Sequence, residues 1–346
     1  MAFHHFGGKV TQDLRRQYQN SPNWKDGKFQ NLQPTGMDLD LKDFPKLIYQ
    51  QFSERSKKQP SRPIPIHSFP KDQLLTTEEA MKFAWYGHSA VFMRMNGKNI
   101  FIDPMLGPDA SPIAPFKTSR FSKDTLDIID DLPTLDLVLF THDHYDHLDY
   151  ESIKRIKTKT KKYFVALGGK RHLVYWGVDA DLVEEFDWWE TKEFEGIQIT
   201  FTPTRHFSGR GLTDRAKSLW GGWAFQSSKE SIWFSGDGGF GSHFEEVGKR
   251  LGAFDFAFME CGQYNEHWRQ LHLFPEESVL AAQHALVKKI MPVHWAGFKL
   301  APHSWKEPVE GFIKKAEELN MDFVIPQLGE VRSWKNSGWT DWWREY

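Results

Sequence analysis

The sequence predicts an α/β protein with one large folded domain. Short apolar runs typical of buried strands, such as Leu135–Phe140 and Ile290–Val293, recur along the chain. Segments of helical character lie between such runs, for example Tyr150–Lys157 and Arg171–Trp176, and strands that alternate with helices indicate layered α/β packing. A length of 346 residues, 40% of them hydrophobic, is enough to bury a sizeable core.

Charge and cysteine content exclude several classes of protein. Lys+Arg 44 and Asp+Glu 46 leave a formal charge of -2, so the chain lacks the broad basic surface of a general nucleic-acid binder. The single cysteine, Cys261, rules out an intrachain disulfide framework and fits a reducing compartment. The start, MAFHHFGGKV, has no secretory signal layout, and the longest apolar runs are too short to span a bilayer. We therefore expect a soluble, cytoplasmic protein.

The first 75 residues differ from the rest in composition. They are polar, and any long helix in them is broken by Pro34, Pro45, Pro60, Pro63, Pro65 and Pro70. We expect residues 1–75 to form an extended arm that packs on a domain made of residues 76–346. A short helix over Gln12–Gln19 is the one regular element predicted in the arm.

After residue 76 the predicted elements follow one another in a regular order. Three strands come first, and Asn96-Gly97 is a strong hairpin turn between the second and the third. The predicted strands are Lys82–Tyr86, Ser89–Met95, Asn99–Asp103, Leu135–Phe140, Tyr163–Leu167, Gly196–Pro203, Trp220–Gln226, Ser231–Phe234, Phe254–Glu260, Ile290–Val293 and Phe323–Pro326. The predicted helices are Lys123–Leu132, Tyr150–Lys157, Arg171–Trp176, His243–Leu251, Pro275–Lys288 and Trp305–Leu319.

A dense set of metal-ligand side chains follows the strand Leu135–Phe140. Three histidines and two aspartates fill five of the six positions from 142 to 147, and such side chains are costly to bury unless something pairs with them. Imidazole nitrogens and carboxylate oxygens are ligands of zinc and similar ions. The alternative is a solvated polar turn, but a turn needs no histidines. Asp103 ends an earlier strand, and we expect its carboxylate to hydrogen-bond this metal loop.

The pattern His-x-His-x-Asp-His at residues 142–147, directly after an apolar strand, resembles the signature of the metallo-β-lactamase superfamily. The resemblance covers most of residues 80–330. It implies an αββα sandwich, here with an N-terminal extension, and a dinuclear metal site along one edge. The implied ligands are His142, His144 and His206 for the first metal, Asp146, His147 and His294 for the second, and Asp237 as the bridge.

Two further stretches narrow the resemblance to one subgroup. Residues 207–222, FSGRGLTDRAKSLWGG, resemble a loop of the hydrolases related to N-acyl-phosphatidylethanolamine-hydrolysing phospholipase D. Cations beside a metal site suit a phosphate or carboxylate group, so we expect Arg210 and Lys217 to bind substrate; ordinary solvated cations are the alternative. His272 precedes a Pro-Glu-Glu helix start, as a histidine does in that subgroup, and we expect a catalytic donor or acid there. A capping or packing role is the alternative.

The predicted function is hydrolysis that depends on two divalent metal ions, with Zn²⁺ first and Mn²⁺ or Fe²⁺ as alternatives. His144 stands where the di-iron oxidoreductases of the superfamily have Glu, which argues for hydrolysis. The leading hypothesis is hydrolysis of a phosphodiester through a metal-bridging hydroxide that Asp146 also orients, with an N-acyl phospholipid, cleaved as by a phospholipase D, as one candidate substrate.

The sequence leaves two other functions open. One is a lactonase that acts on a sugar phosphate or another lactone, in the manner of the L-ascorbate-6-phosphate lactonase branch. The other is a metal-bound binding or sensing protein with little turnover. The expected partner is a small-molecule or lipid substrate, with no nucleic acid and no transmembrane segment. A peripheral membrane contact and a homo-oligomer are left open.

Overall fold

Two mixed β-sheets packed face to face form the centre of the molecule. The computed structural model describes residues 2–38, 41–43, 45, 46, 49, 53, 55–75, 80–112 and 117–346. Within these residues each large sheet has seven strands, and helices cover the outer face of both sheets. The predicted αββα sandwich is therefore confirmed.

Sixteen strands are described, and we number them along the chain. They are β1 (Trp24–Lys25), β2 (Lys28–Phe29), β3 (Lys82–Trp85), β4 (Val91–Met95), β5 (Lys98–Ile102), β6 (Leu137–Phe140), β7 (Tyr163–Ala166), β8 (Val183–Phe186), β9 (Thr191–Phe194), β10 (Ile197–Pro203), β11 (Gly221–Gln226), β12 (Ser231–Phe234), β13 (Phe256–Glu260), β14 (Lys289–Val293), β15 (Asp322–Phe323) and β16 (Val331–Ser333).

The two large sheets have related topologies. The first sheet has the order β16-β3-β4-β5-β6-β7-β8, and the second has the order β15-β14-β13-β12-β11-β10-β9. In each sheet one part is antiparallel and the other part, β5 to β8 or β12 to β15, is parallel. The parallel part matters for the site, because the carboxyl ends of parallel strands lie at the same edge of a sheet.

The helices lie on the two outer faces and in the N-terminal segment. None of the described helices is both long enough and apolar enough to cross a membrane. The α-helices are Ala2–His5, Gln12–Tyr18, Arg55–Lys58, Lys71–Leu74, Ile128–Asp131, Tyr150–Ile156, Lys170–Tyr175, His243–Leu251, Pro275–His284 and Glu307–Glu318. The 3₁₀ helices are Leu41–Asp43, Thr125–Asp127, Ala180–Leu182, Glu266–Trp268 and Trp342–Glu345.

Central strands bury both of their faces, which explains why they read as continuous apolar runs. In β6, Leu137 and Leu139 pack between the sheets, whereas Val138 and Phe140 pack under the helices of the outer layer. The side chains of β13 alternate in the same way. A shift of one residue would exchange the two faces, so this alternation fixes the register of each strand and the position of the loop that follows it.

Most predicted elements are present, with ends that shift by a few residues, but five strands are missing from the prediction: β1 and β2 of the N-terminal hairpin, and β8, β9 and β16. The last three lie at the edge of a large sheet. β8 and β9 read VEEF and TKEF, and their charged side chains leave no apolar run to mark a strand. Such charges are typical of edge strands, where they prevent pairing with another chain. The helix predicted over Lys123–Leu132 is a 3₁₀ turn followed by one short helix.

The N-terminal segment contacts the sandwich through a small aromatic cluster. Phe29 in β2 is buried against Tyr18 and Trp24, with ring centroids 5.5 and 4.8 Å away. The N–H of Phe29 also donates to the carbonyl of Ala216 at 2.9 Å. The predicted boundary at residue 76 lies outside the described residues, so the division into residues 1–75 and 76–346 stays a prediction.

Candidate metal centre

The predicted metal ligands lie at strand ends along one edge of the sandwich. Residues 142–147 follow β6 of the first sheet, whereas His206, Asp237 and His294 follow β10, β12 and β14 of the second. The structure thus gathers all seven side chains into neighbouring groups whose ligand atoms lie within 4.8 Å of one another.

Ring nitrogens of His142, His144 and His206 converge on one point. Nε2 of His142 and Nε2 of His206 lie 2.8 and 3.3 Å from Nδ1 of His144. Nδ1 of His206 donates to the carbonyl of Leu271 at 2.9 Å. Nδ1 of His142 donates to the hydroxyl of Thr141 at 3.0 Å. The Nε2 atoms of neutral His142 and His206 therefore each carry a lone pair. The N–H on His144 can donate to only one of them, whereas a cation can bind all three nitrogens.

The second group consists of Asp146, His147 and His294 and shares Asp237 with the first. Oδ2 of Asp237 lies 3.1 Å from Nε2 of His147 and 3.0 Å from Nε2 of His294. Oδ2 of Asp146 lies 3.7 and 3.5 Å from the same nitrogens. Nδ1 of His147 donates to Asp103 at 2.7 Å, so a neutral His147 presents a lone pair to the carboxylate of Asp237. Two acceptors at this distance need a proton or a metal ion between them.

Electrostatics around the two groups favour a bound cation. Burial opposes ionisation, but neighbouring histidines led by His147 hold the pKa of Asp146 and Asp237 well below the usual range. Burial and adjacent histidines lower the pKa of His142 and His206 well below 6.5, which keeps both rings neutral. Burial also lowers the pKa of His147, but carboxylates led by Asp237 outweigh it and raise the value to about 10. The proton on His147 thus takes the place that a metal ion would fill.

The residues present fit a metal ion on two grounds. The lone pairs of fixed histidine tautomers point at one another, and buried carboxylates complete the ligand set. Nitrogen and carboxylate ligands suit zinc and similar borderline divalent ions.

Asp103 holds the end of β6 as predicted. Its Oδ2 accepts from the hydroxyl of Thr141 at 2.6 Å and from Nδ1 of His147 at 2.7 Å, and its Oδ1 accepts from the N–H of Thr141 at 2.8 Å. The carboxylate therefore fixes both the backbone of the metal loop and the tautomer of His147, the usual task of a residue behind a metal ligand.

Asp143 supports the metal loop from the other side, a role that its sequence position does not signal. Its carboxylate accepts from Oγ of Ser218 at 2.6 Å and from the N–H of Gly209 at 2.7 Å. Nη2 of Arg171 and Nε2 of His172 lie 3.4 and 3.2 Å away. Asp143, which lies between the predicted ligands His142 and His144, therefore ties two segments to the metal loop. They are the helix Lys170–Tyr175 and residues 207–220, which we call the 207–220 loop.

Asn31, from the N-terminal segment, holds the backbone of His206 at both ends. Oδ1 of Asn31 accepts from the N–H of His206 at 3.0 Å, and Nδ2 donates to its carbonyl at 2.7 Å. Nε1 of Trp220 donates to the same Oδ1 at 3.2 Å. No motif surrounds Asn31, so sequence reasoning gives no reason to select it.

His88 also contacts the second group. Its Nε2 donates to Oδ2 of Asp146 at 2.9 Å, and its ring lies 4.1 Å from the ring of His294, measured between centroids. Burial first, and then the nearby His294, lower the pKa of His88 to about 3, so the ring is neutral. His88 therefore orients Asp146.

The structure does not bring Arg210 or Lys217 to the ligand cluster. The side chain of Arg210 is buried, and Nη1 donates to the carbonyl of Asp143 at 2.6 Å while Nε donates to that of His5 at 2.8 Å. Nζ of Lys217 donates to the carbonyl of Gly27. These hydrogen bonds hold both side chains against protein carbonyls and away from the ligand cluster, and the substrate role of Arg210 and Lys217 stays a prediction. Arg210 fixes the metal loop, and Lys217 fixes the β1–β2 hairpin.

His272 lines a cleft of about 160 Å³ beside the predicted ligands. Its Nδ1 donates to Oε1 of Glu260 at 2.6 Å, and its ring stacks on that of His294 with centroids 5.2 Å apart. Its other nitrogen, Nε2, is left without a hydrogen bond among the described residues. The same cleft, which we call the metal cleft, has apolar walls formed by Met37, Phe207, Trp268, Leu271 and Leu300.

Comparisons with known proteins agree with this geometry. A family model described as a beta-lactamase superfamily domain matches residues 98–295. An uncharacterized protein of Mycobacterium tuberculosis is 32% identical over 330 residues, which cover 93% of this chain and 87% of that protein. The chain therefore belongs to the beta-lactamase superfamily, and it is a metal-dependent hydrolase of that superfamily.

Two further proteins are similar over most of the chain. N-acyl-phosphatidylethanolamine-hydrolyzing phospholipase D 1 of Caenorhabditis elegans is 29% identical over 307 residues, which cover 83% of this chain and 86% of that protein. A solved metallo hydrolase from the archaeon Ignicoccus hospitalis has a TM-score of 0.56 at 22% identity, over 75% of this chain and 100% of that one. The second likeness concerns the fold alone.

Replacing Asp237 with alanine tests its proposed place between the two groups. The variant loses the carboxylate that faces His147 and His294, so we expect it to lose at least one bound ion and at least ~100-fold in hydrolysis. Elemental analysis after gel filtration and an activity assay measure both losses. Asp181→Ala, which changes an exposed aspartate, is the control. Wild-type metal content with near-normal turnover would make Asp237 a simple turn residue.

Proposed function

We propose that this protein hydrolyses a phosphodiester bond of a phospholipid, in the manner of a phospholipase D, with two divalent metal ions. The main observation behind this proposal is that two groups of candidate ligands meet at the carboxylate of Asp237, beside a cleft that is also lined by His272. Support also comes from the C. elegans relative, whose name specifies hydrolysis of N-acyl-phosphatidylethanolamine and which matches 83% of this chain.

The ligand groups define where the two ions would lie. Two ions there supply Lewis acidity that activates water and stabilises negative charge on phosphate oxygens. Zinc is the proposed metal, with manganese or iron as alternatives. The proposed ligands are His142, His144 and His206 for one ion, Asp146, His147 and His294 for the other, and Asp237 for both.

We assign proton transfer to His272. Glu260 fixes the orientation of the ring and the proton on Nδ1, which leaves Nε2 for the substrate. A protonated Nε2 donates to a phosphoryl oxygen or gives its proton to the departing alkoxide, a contribution of about 10²–10⁴-fold. Oε2 of Glu260 accepts from the N–H of Leu273 at 3.0 Å, so the carboxylate is itself held in place.

The walls of the metal cleft favour a lipid over a small polar ester. Five apolar side chains line it together with the predicted ligands, and burial of an acyl chain against such walls contributes about 0.8 kcal/mol per CH₂ group. Met37 is 41% exposed, so the cleft offers apolar surface at its mouth as well as inside.

Substrate ranking separates the proposal from the lactonase alternative. We expect bis-aryl phosphates and glycerophospholipid analogues to have kcat/KM values at least about tenfold above those of lactones of similar size, since the ions and His272 suit a phosphoryl group. The assay uses protein saturated with zinc or manganese. The reverse ranking would assign the chain to lactone hydrolysis. No turnover on either class by metal-loaded protein would favour binding or sensing.

Changing His272 to alanine separates its catalytic role from a structural one. We expect the variant to keep its metals and thermal stability, to lose about 10²-fold or more in turnover of alkyl esters, and to lose less on nitrophenyl esters. The reason is that an alkoxide leaving group needs a proton and a nitrophenolate does not. His284→Ala, an exposed histidine on the helix Pro275–His284, is the control. An equal, small loss on both ester classes, or unfolding, would return His272 to a structural role.

A further inference from the structure

A larger groove adjoins the metal cleft. It has a volume of about 580 Å³ and is lined by the β1–β2 hairpin, the segment that follows it and part of the 207–220 loop. The groove and the metal cleft share Phe207 and Leu271, and the predicted ligand His206 lines the groove itself. A substrate bound at the predicted ligands can therefore extend into this groove.

Three cations line the groove, and none of them has an ion pair among the described residues. They are Lys25, Lys28 and Arg215, and we call the groove that they line the cationic groove. Asp26 is the one acidic side chain among the described lining residues. The whole chain has a formal charge of -2, so this positive surface is a local excess and not a general property of the protein.

The cations are attached to a rigid support. The guanidinium of Arg215 lies 3.9 Å from the centre of the Phe207 ring, which also lines the metal cleft. Next to Arg215, the carbonyl of Ala216 accepts from the N–H of Phe29, and Lys217 donates to the carbonyl of the glycine at the hairpin tip. The hairpin and Arg215 are thus held in one arrangement, which reduces the entropy lost when a ligand binds.

Positive charges crowd around this support. Burial first, and then the charges of Arg15 and Lys28, lower the pKa of Lys217. Like charges repel each other, and an anion placed among them relieves that repulsion while it gains charge-assisted hydrogen bonds. Gln30 and Gln33 line the same wall, where Nε2 of Gln30 donates to the carbonyl of Lys25 at 3.3 Å and Nε2 of Gln33 donates to Oγ of Ser242 at 2.7 Å.

We propose that the cationic groove binds a second anionic group of the substrate, a phosphomonoester or a carboxylate, while the scissile phosphodiester lies in the metal cleft. The inference rests on the proposed function for the position of the scissile group. The inference adds that the preferred substrate carries a second negative charge, on the part of the substrate that extends beyond Phe207 into the cationic groove.

Two soluble diesters that differ only in this group provide the test. The first is the 4-nitrophenyl diester of glycerol phosphate. The second is the same diester with a phosphomonoester added at the free primary hydroxyl of the glycerol. For metal-loaded wild-type protein we expect the KM of the second diester to be about tenfold lower than that of the first. In the Lys25→Gln, Lys28→Gln, Arg215→Gln triple variant the ratio falls to about one. Lys314→Gln, on the helix Glu307–Glu318, keeps the wild-type ratio as the control.

A ratio of one in wild-type protein, or a tenfold ratio that survives in the triple variant, would overturn the inference. So would binding to phosphatidylglycerol vesicles combined with a wild-type ratio of one, since the cations would then contact a membrane and not the substrate. The single variant Lys28→Gln, with an expected ratio between one and ten, serves if the triple variant does not fold.

Calorimetry separates this inference from the proposed function. If neither diester is hydrolysed, metal-loaded protein is titrated with glycerol phosphate and with glycerol 1,3-bisphosphate. A tenfold preference for the bisphosphate that the triple variant loses would keep the anion site while the phosphodiesterase proposal fails. Equal affinities would remove the anion site as well.

Discussion

The contact between the carboxylate of Asp237 and Nε2 of His147 and His294 is the one on which the rest of the site depends. Oδ2 of Asp237 faces both nitrogens at 3.1 and 3.0 Å, and Asp103 holds the Nδ1 proton of His147. Two acceptors therefore face each other unless a proton or a metal ion lies between them. Uncompensated buried charges cost several kcal/mol each. His147 follows a strand of one sheet, whereas Asp237 and His294 follow strands of the other. A cation at this point therefore joins the two sheets at their common edge.

Residues far apart in the sequence keep the ligands in position for that cation. Asn31 binds the backbone of His206 at both ends, and Asp143 ties the metal loop to the 207–220 loop. Arg210 reaches from that loop to the carbonyl of Asp143 and to the N-terminal residue His5. These supports come from both sides of the cluster and restrict the positions of the candidate ligands, which is the arrangement that binding and catalysis need.

Local chemistry allowed the sequence to indicate which candidate ligands come together, whereas the residues that support them depend on distant contacts that the sequence does not signal. His142 to His147 stand out because polar side chains directly follow an apolar strand, and strand ends of an α/β sandwich meet at one edge. Arg210 shows the limit of the approach, since its sequence position gives its charge but not the direction of its side chain, which points into carbonyls of the protein. Asn31 and the edge strands β8 and β9 lack any local signal, because their roles arise from contacts made only in the folded chain.

Metal content combined with anomalous diffraction tests the central claim most directly. The measurement uses protein saturated with zinc or manganese and then freed of excess metal, with data collected at the absorption edge of the bound element. We expect close to two ions per chain, one among His142, His144 and His206 and the other among Asp146, His147 and His294, with Asp237 contacting both. At most one ion per chain after saturation, or ions bound away from these residues, would contradict it.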